Sequence, residues 1–99
     1  MLFVIYAEDI ENSLAKRKLH SIEHRQRLHQ LKDEGRLVIA GPCPLVEQQQ
    51  SHDAGFSGSV IIAEFSSLEA AQKWADSDPF LLNGIYASVI VKPFIQFLP

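Results

Sequence analysis

The sequence predicts an α+β fold of the order β-α-β-β-α-β, with four antiparallel strands carrying two helices on one face. Three observations lead there. Four short runs rich in β-branched and aromatic residues alternate with two stretches of helical periodicity. No repeat, linker or low-complexity segment interrupts them, so residues 1–99 are expected to form one domain. This order is the split β-α-β arrangement of ferredoxin-like folds.

Leu2–Ala7 is a nearly continuous apolar run, as expected of a strand covered on both faces. The polar segment Glu8–Asn12 leads into a helix over Ser13–Gly35, with Asn12 or Ser13 placed to cap its free N–H groups. Gly35 stops it, because glycine takes the left-handed conformation without steric cost. Arg36–Gly41 is the second strand, and Pro42 and Pro44 forbid its continuation as a central strand. Cys43–Ser57 is an irregular stretch of 15 residues, long for a connection and so expected to be either a functional flap or mobile. Gly58–Phe65 is the third strand. Ser66 and Glu69 fit a capping box that opens the second helix, whose stripe is Leu68, Ala71, Ala75 and Asp78, with Trp74 beside it. Pro79 ends that helix, Phe80–Gly84 turns, and Ile85–Lys92 is the fourth strand.

Composition narrows the function classes. An apolar fraction of 46% and a charged fraction of 21% describe an ordinary globule, and a net charge of −3 gives no basic footprint for nucleic acid. No apolar run is long enough to cross a membrane, and Met1–Ala7 lacks the features of a signal peptide. The lone Cys43 excludes an internal disulfide and a cysteine cluster for zinc. A cytoplasmic protein is expected. Helices on one sheet face leave the other open, and Ile5, Val60, Ile62, Val89 and Val91 are too apolar for it to face water. The sequence therefore predicts a homodimer packed sheet on sheet, with the apolar tail Phe94–Pro99 against a partner subunit.

The chemistry is concentrated on the first helix. Leu14, Arg17, Ser21, His24, Leu28 and Leu31 recur at spacings of 3, 4, 3, 4 and 3, one face of a helix. A stripe meant for the core thus carries Arg17 and His24. An isolated histidine there is most simply a satisfied core residue. A buried arginine, however, needs an anion, and Asp78 ends the matching stripe of the second helix. A His24–Asp78 pair would fix the imidazole tautomer as a general base requires. The bland alternative is a buried Arg17–Asp78 ion pair with His24 a bystander. Ser59 is a candidate polar group lining the site rather than a nucleophile, since no G-x-S-x-G elbow is present. Cys43 in its proline turn, Asp76, and the pairs His20–His24 and His52–Asp53 lack the partners that nucleophilic or metal chemistry needs, so neither a metal nor a cofactor is expected.

The segments LFVIYAED, EGRLVIAGPCP, AGFSGSVIIAEFSSLEAAQKWADSDPF and GIYASVIVKPF together resemble the YCII-related family over nearly the whole chain. The resemblance implies a ferredoxin-like fold that dimerises through its sheets, akin to muconolactone isomerase and the dimeric α/β-barrel proteins. It implies an active site on a His–Asp pair, falling on His24 and Asp78, with the helix arginine on Arg17. The family often carries a further arginine where this chain has Ser21. Its members have no single function, and dehydrochlorination is among their activities. Two functions follow as expectations. One is a cofactor-independent isomerase, lyase or hydrolase acting by general acid/base chemistry on a small oxygenated compound, with Arg17 and backbone N–H groups near Gly41 or Gly58 stabilising an anion. The other is a non-catalytic domain that binds a small metabolite.

Overall fold

In a computed structural model, residues 1–47 and 53–99 are described. The elements are β1 (Leu2–Asp9), α1 (Leu14–Asp33), β2 (Leu37–Pro44), β3 (Phe56–Glu64), α2 (Leu68–Asp76), the single turn α3 (Pro79–Leu82) and β4 (Tyr86–Phe94). The strands form one antiparallel sheet in the order β2-β3-β1-β4, so β1 and β3 are central and β2 and β4 are edges. This is the predicted ferredoxin-like α+β fold. No helix among the described residues is long and apolar enough to cross a membrane.

Side chains alternate across each strand. On β1, Phe3, Ile5 and Ala7 are buried under the helices, and on β3 Ile61 and Ala63 join them with Leu31, Phe65, Ala71 and Ala75. Completely burying Leu31 contributes about 2–3 kcal/mol. Val89 and Val91 also pack on this helix side. The expected apolar patch is therefore corrected: Ile5, Val89 and Val91 face the helices. The open face carries Val60 and Ile62 together with Val4, Tyr6, Ile39 and Ile90, which the register aligns as Val4–Ile62–Ile39 and Ile90–Tyr6–Val60.

Several boundaries move for physical reasons. β2 runs through Pro42 and Pro44, which an edge strand tolerates because one side of it needs no partner. With β2 and β3 both longer than expected, the connection shortens to Leu45–Gly55; residues 48–52, including His52, lie outside the described part. The second helix is capped by Ser67 rather than Ser66: its hydroxyl accepts from the Ala70 N–H at 3.0 Å, and Glu69, in the first turn, pairs with Lys73 at 3.5 Å. Leu68 is exposed rather than on the core stripe. Ser13 holds the first N-cap but gives its hydroxyl to Asp9 instead of to the helix. Gly35, at φ +72°, ends α1 as expected, with its N–H bonded to the Lys32 carbonyl and that of Arg36 to the Leu31 carbonyl.

Candidate active site

The polar stripe of α1 lies over one end of the sheet, where the apolar rows of β1 and β3 turn polar. Phe3, Ile5 and Ala7 are followed on the same face by Asp9, and Ala63 and Ile61 by Ser59, the cross-strand partner of Ala7. Arg17 descends from the helix onto this corner. Its Nε donates to Asp9 Oδ2 at 2.6 Å and its Nη2 to Asp9 Oδ1 at 3.0 Å. Nη2 also meets the Gly58 carbonyl at 2.9 Å and the Ser59 hydroxyl at 3.0 Å. The Ser13 hydroxyl donates to Asp9 Oδ2 at 2.6 Å. The anion that a buried arginine requires is thus Asp9, not Asp78, and the Arg17–Asp78 alternative is ruled out. Nη1 makes no hydrogen bond with a described residue, and the guanidinium lies between the rings of Phe56, 4.8 Å away, and Phe80, 5.1 Å away.

His24 sits two turns further along α1, 7% exposed. Its Nδ1 lies 2.8 Å from Asp78 Oδ1, which also accepts the Phe80 N–H at 2.9 Å. An amide N–H can only donate, so Oδ1 is an acceptor and the Nδ1 proton is the one shared with it. The other nitrogen, Nε2, is bonded to no described residue. Expected at the end of the α2 stripe, Asp78 lies beyond that helix and caps α3 instead. Pro79 drives the residue before it into extended backbone, the conformation an N-cap adopts, and Asp78 has φ −63° and ψ 128°. Phe80, one residue into the turn, then stacks on His24 with ring centroids 4.0 Å apart and planes 7° from parallel. Asp-Pro-Phe is therefore one device that holds the imidazole by its nitrogen and by its face.

Tyr86 closes the cluster from behind, edge-on to both His24 and Phe80. Its hydroxyl oxygen is buried with no partner in hydrogen-bond geometry among the described residues. Burial pushes the phenol well above its ordinary pKa, and only partly do the nearby Ser59 hydroxyl and Arg17 oppose this.

A cavity of about 350 Å³ opens beside the imidazole, between α1, β2, β3 and α3. His24, Arg17, Ser59 and Ser21 line it, with apolar walls from Leu14, Leu28, Ala40, Phe56, Ile61 and Phe80. Lys18, Arg25 and Asp53 also border it. Gly41 is on the wall, but Gly58 is not, and the Gly58 carbonyl is taken by Arg17. Asp78 lies behind His24, outside the lining. Cys43 and Asp76 also lie outside it, and no cluster of metal-ligating side chains forms among the described residues. Sequence reasoning missed Asp9, Tyr86 and Phe80. The alternation Phe3, Ile5, Ala7, Asp9 was the available signal for Asp9, since it places a carboxylate on the core face.

Comparison with known proteins decides the family. The YCII-related domain matches residues 1–95. The chain belongs to the YCII-related family. A relative named protein YciI, from Escherichia coli O6:H1, is 55% identical over 94 residues, covering 95% of this chain and 96% of the relative. An uncharacterized protein of Haemophilus influenzae is 49% identical over the same 94-residue length. Among solved structures, the family fold is shared with 5-chloro-2-hydroxyhydroquinone dehydrochlorinase (TftG) from Burkholderia phenoliruptrix AC1100, in complex with 2,5-dihydroxybenzoquinone. The TM-score is 0.85 at 29% identity, over 97% of this chain and 95% of that one.

Proposed function

We propose that this chain is a small enzyme of lyase type that eliminates HCl or a comparable acid from an oxygenated ring compound, with His24 as the general base and Asp78 its positioning partner. The observation that carries this is the 2.8 Å contact of His24 Nδ1 with Asp78 Oδ1 beside a cavity, with Nε2 bonded to no described residue. A base of this kind takes the proton of one ring hydroxyl and returns it to the chlorine-bearing carbon, giving an sp3 keto tautomer; loss of a second hydroxyl proton then forms the second C=O and a ring C=C as chloride leaves, so that HCl is released overall. The TftG likeness supports the elimination class. The Asp78 carboxylate and the stacked Phe80 would fix the ring so that little reorientation accompanies the proton transfer. Arg17 Nη1 and Ser59 would donate hydrogen bonds to a substrate oxygen. Asp9 balances the Arg17 charge, so this arginine would act as a fixed donor more than as a free cation. No step in the scheme needs a cofactor.

The working unit is proposed to be a cytoplasmic homodimer joined through the open sheet face. Its apolar rows, with Ile39 59% and Ile90 50% exposed, support that arrangement.

The test is chloride release from 5-chloro-2-hydroxyhydroquinone and related chlorinated hydroquinones. The wild type should turn over at least one of them. His24→Ala should lose activity by about 100-fold or more, the usual scale of a general base. Asp78→Asn should lose less, with its effect in kcat. A His24→Ala protein as active as wild type would overturn the catalytic role. Ligand binding with no turnover by the wild type would favour the metabolite-binding reading.

A further inference from the structure

We infer that the cavity selects a small planar organic anion, and that Lys18 and Arg25 are the residues that recognise its charge. This rests on the cavity being the ligand site, as proposed above, and it adds which charge the ligand carries and what reads it. The sequence alone put Arg17 in that role. The structure commits Arg17 to Asp9 through paired 2.6 and 3.0 Å bonds, with the Asp9 side chain 0% and the Arg17 side chain 9% exposed. That pair is neutral as a unit. What remains to set the electrostatic character of the lining is Lys18, Arg25 and, across the opening, Asp53.

Lys18 and Arg25 make no ion pair or side-chain hydrogen bond with a described residue. The chain as a whole carries a net charge of −3, so a cationic edge here runs against its average. They are seven residues apart, which is two helical turns or about 10 Å along α1. Both therefore stand on the same edge of the helix, bracketing Ser21 and His24. Long side chains from these two positions can converge over a ligand seated against the imidazole. A lysine ammonium acts as a point charge and an arginine as a planar fork, so together they suit oxygens at the rim of a flat delocalised anion. The walls opposite are apolar, and about 350 Å³ is near the lower end of small-molecule sites. The class that fits is a one-ring enolate, phenolate or carboxylate. Asp53 would oppose it, which gives the inference an internal control of opposite sign.

The experiment is calorimetric titration with two probes. One is 2,5-dihydroxybenzoquinone, whose enolic hydroxyls are ionised at neutral pH; the other is hydroquinone, of similar shape and uncharged there. The wild type should bind the anion more tightly than the neutral probe, and rising salt should weaken only the anion. Lys18→Met/Arg25→Met should weaken the anion by about tenfold and leave hydroquinone within about twofold. Asp53→Asn should tighten the anion by about two- to threefold. These side chains are at the surface, so melting temperatures should match the wild type and verify the fold. A double variant that keeps its anion affinity, an equal loss for both probes, or no anion binding by the wild type at millimolar concentration would each overturn the inference. His24→Ala separates it from the catalytic proposal. Anion affinity kept with turnover lost supports both, and anion affinity with no turnover in the wild type sinks only the catalytic proposal.

Discussion

Arg17 shows how a single residue can be placed correctly by sequence and still be given the wrong partner. Its spacing from His24 put it on the buried stripe, but its anion comes from the strand beneath. Asp9→Ala would leave a buried guanidinium facing only a carbonyl and a hydroxyl, at an expected cost of about 3–5 kcal/mol in urea denaturation. Adding Arg17→Leu should restore part of that stability, because the stranded charge goes with it. A fully additive double variant would mean that the two residues are not coupled. Tyr86 offers a test of opposite sign. Its buried hydroxyl lacks a partner in hydrogen-bond geometry among the described residues, so Tyr86→Phe should be neutral or stabilise by about 1 kcal/mol. The pH dependence follows from the raised phenol pKa. The folded state then keeps the Tyr86 proton at a pH where the unfolded chain gives it up. Its contribution is complete below about pH 10 and declines as pH rises further. The stability gap between Tyr86→Phe and wild type should therefore be constant from pH 7 to 9 and widen above 10. A gap that narrows there would contradict the burial of the phenol.

At the scale of elements, what the sequence made legible was periodicity, and what it hid was register. Six of the seven elements, their order and the glycine stop of α1 follow from local pattern. So does the placing of His24, but Asp78 reaches it as the cap of α3 and not, as the stripe alone predicts, from the face of α2. The sheet faces were not legible from continuous apolar runs: Val60 and Ile61 differ by one position and point to opposite sides. Nor was the Ser67 cap, since consecutive serines offer two frames and the pairing of the preceding strand selects between them. The proline-bearing edge of β2 depended on a strand order that no local signal carries. Gly58 is the element-scale feature with the clearest consequence. A Cβ built there would lie 2.1 Å from the Ala7 carbonyl oxygen, so β1 and β3 approach closely only because this residue has none. The same backbone supplies the carbonyl that Arg17 binds. Gly58→Ala should thus destabilise the chain by about 1–3 kcal/mol, the range for overpacking a tight contact. It should also disturb the Arg17 corner, visible as shifts of the Ser59 and Asp9 amide resonances. A variant as stable as wild type would show that the strands can part without loss.

For the whole molecule, the open sheet face is where the proposed dimer can be tested. One face of the sheet is covered by helices, and the other presents Tyr6, Ile39 and Ile90 at 38%, 59% and 50% exposure, with Val4, Val60 and Ile62 half-buried among them. Charged residues, Glu8, Glu64 and Lys92, lie toward its margins on the same strands. An apolar centre with a polar rim is the anatomy of a protein interface, and two such sheets packed face to face would bury it isologously. Sedimentation at micromolar concentration should therefore give about twice the chain mass of 11.1 kDa. Ile90→Lys should shift it to the monomer, because the substitution places a charge beside Tyr6 among the apolar side chains of the face. The cavity lies on the helix side, and none of Tyr6, Ile39 and Ile90 lines it. A folded Ile90→Lys monomer should consequently still bind 2,5-dihydroxybenzoquinone within about threefold of wild type. A wild-type protein sedimenting only at 11.1 kDa would remove the dimer while leaving the site untouched. A monomeric variant that keeps its fold but loses the ligand would instead show that the sheet interface braces the cavity from behind.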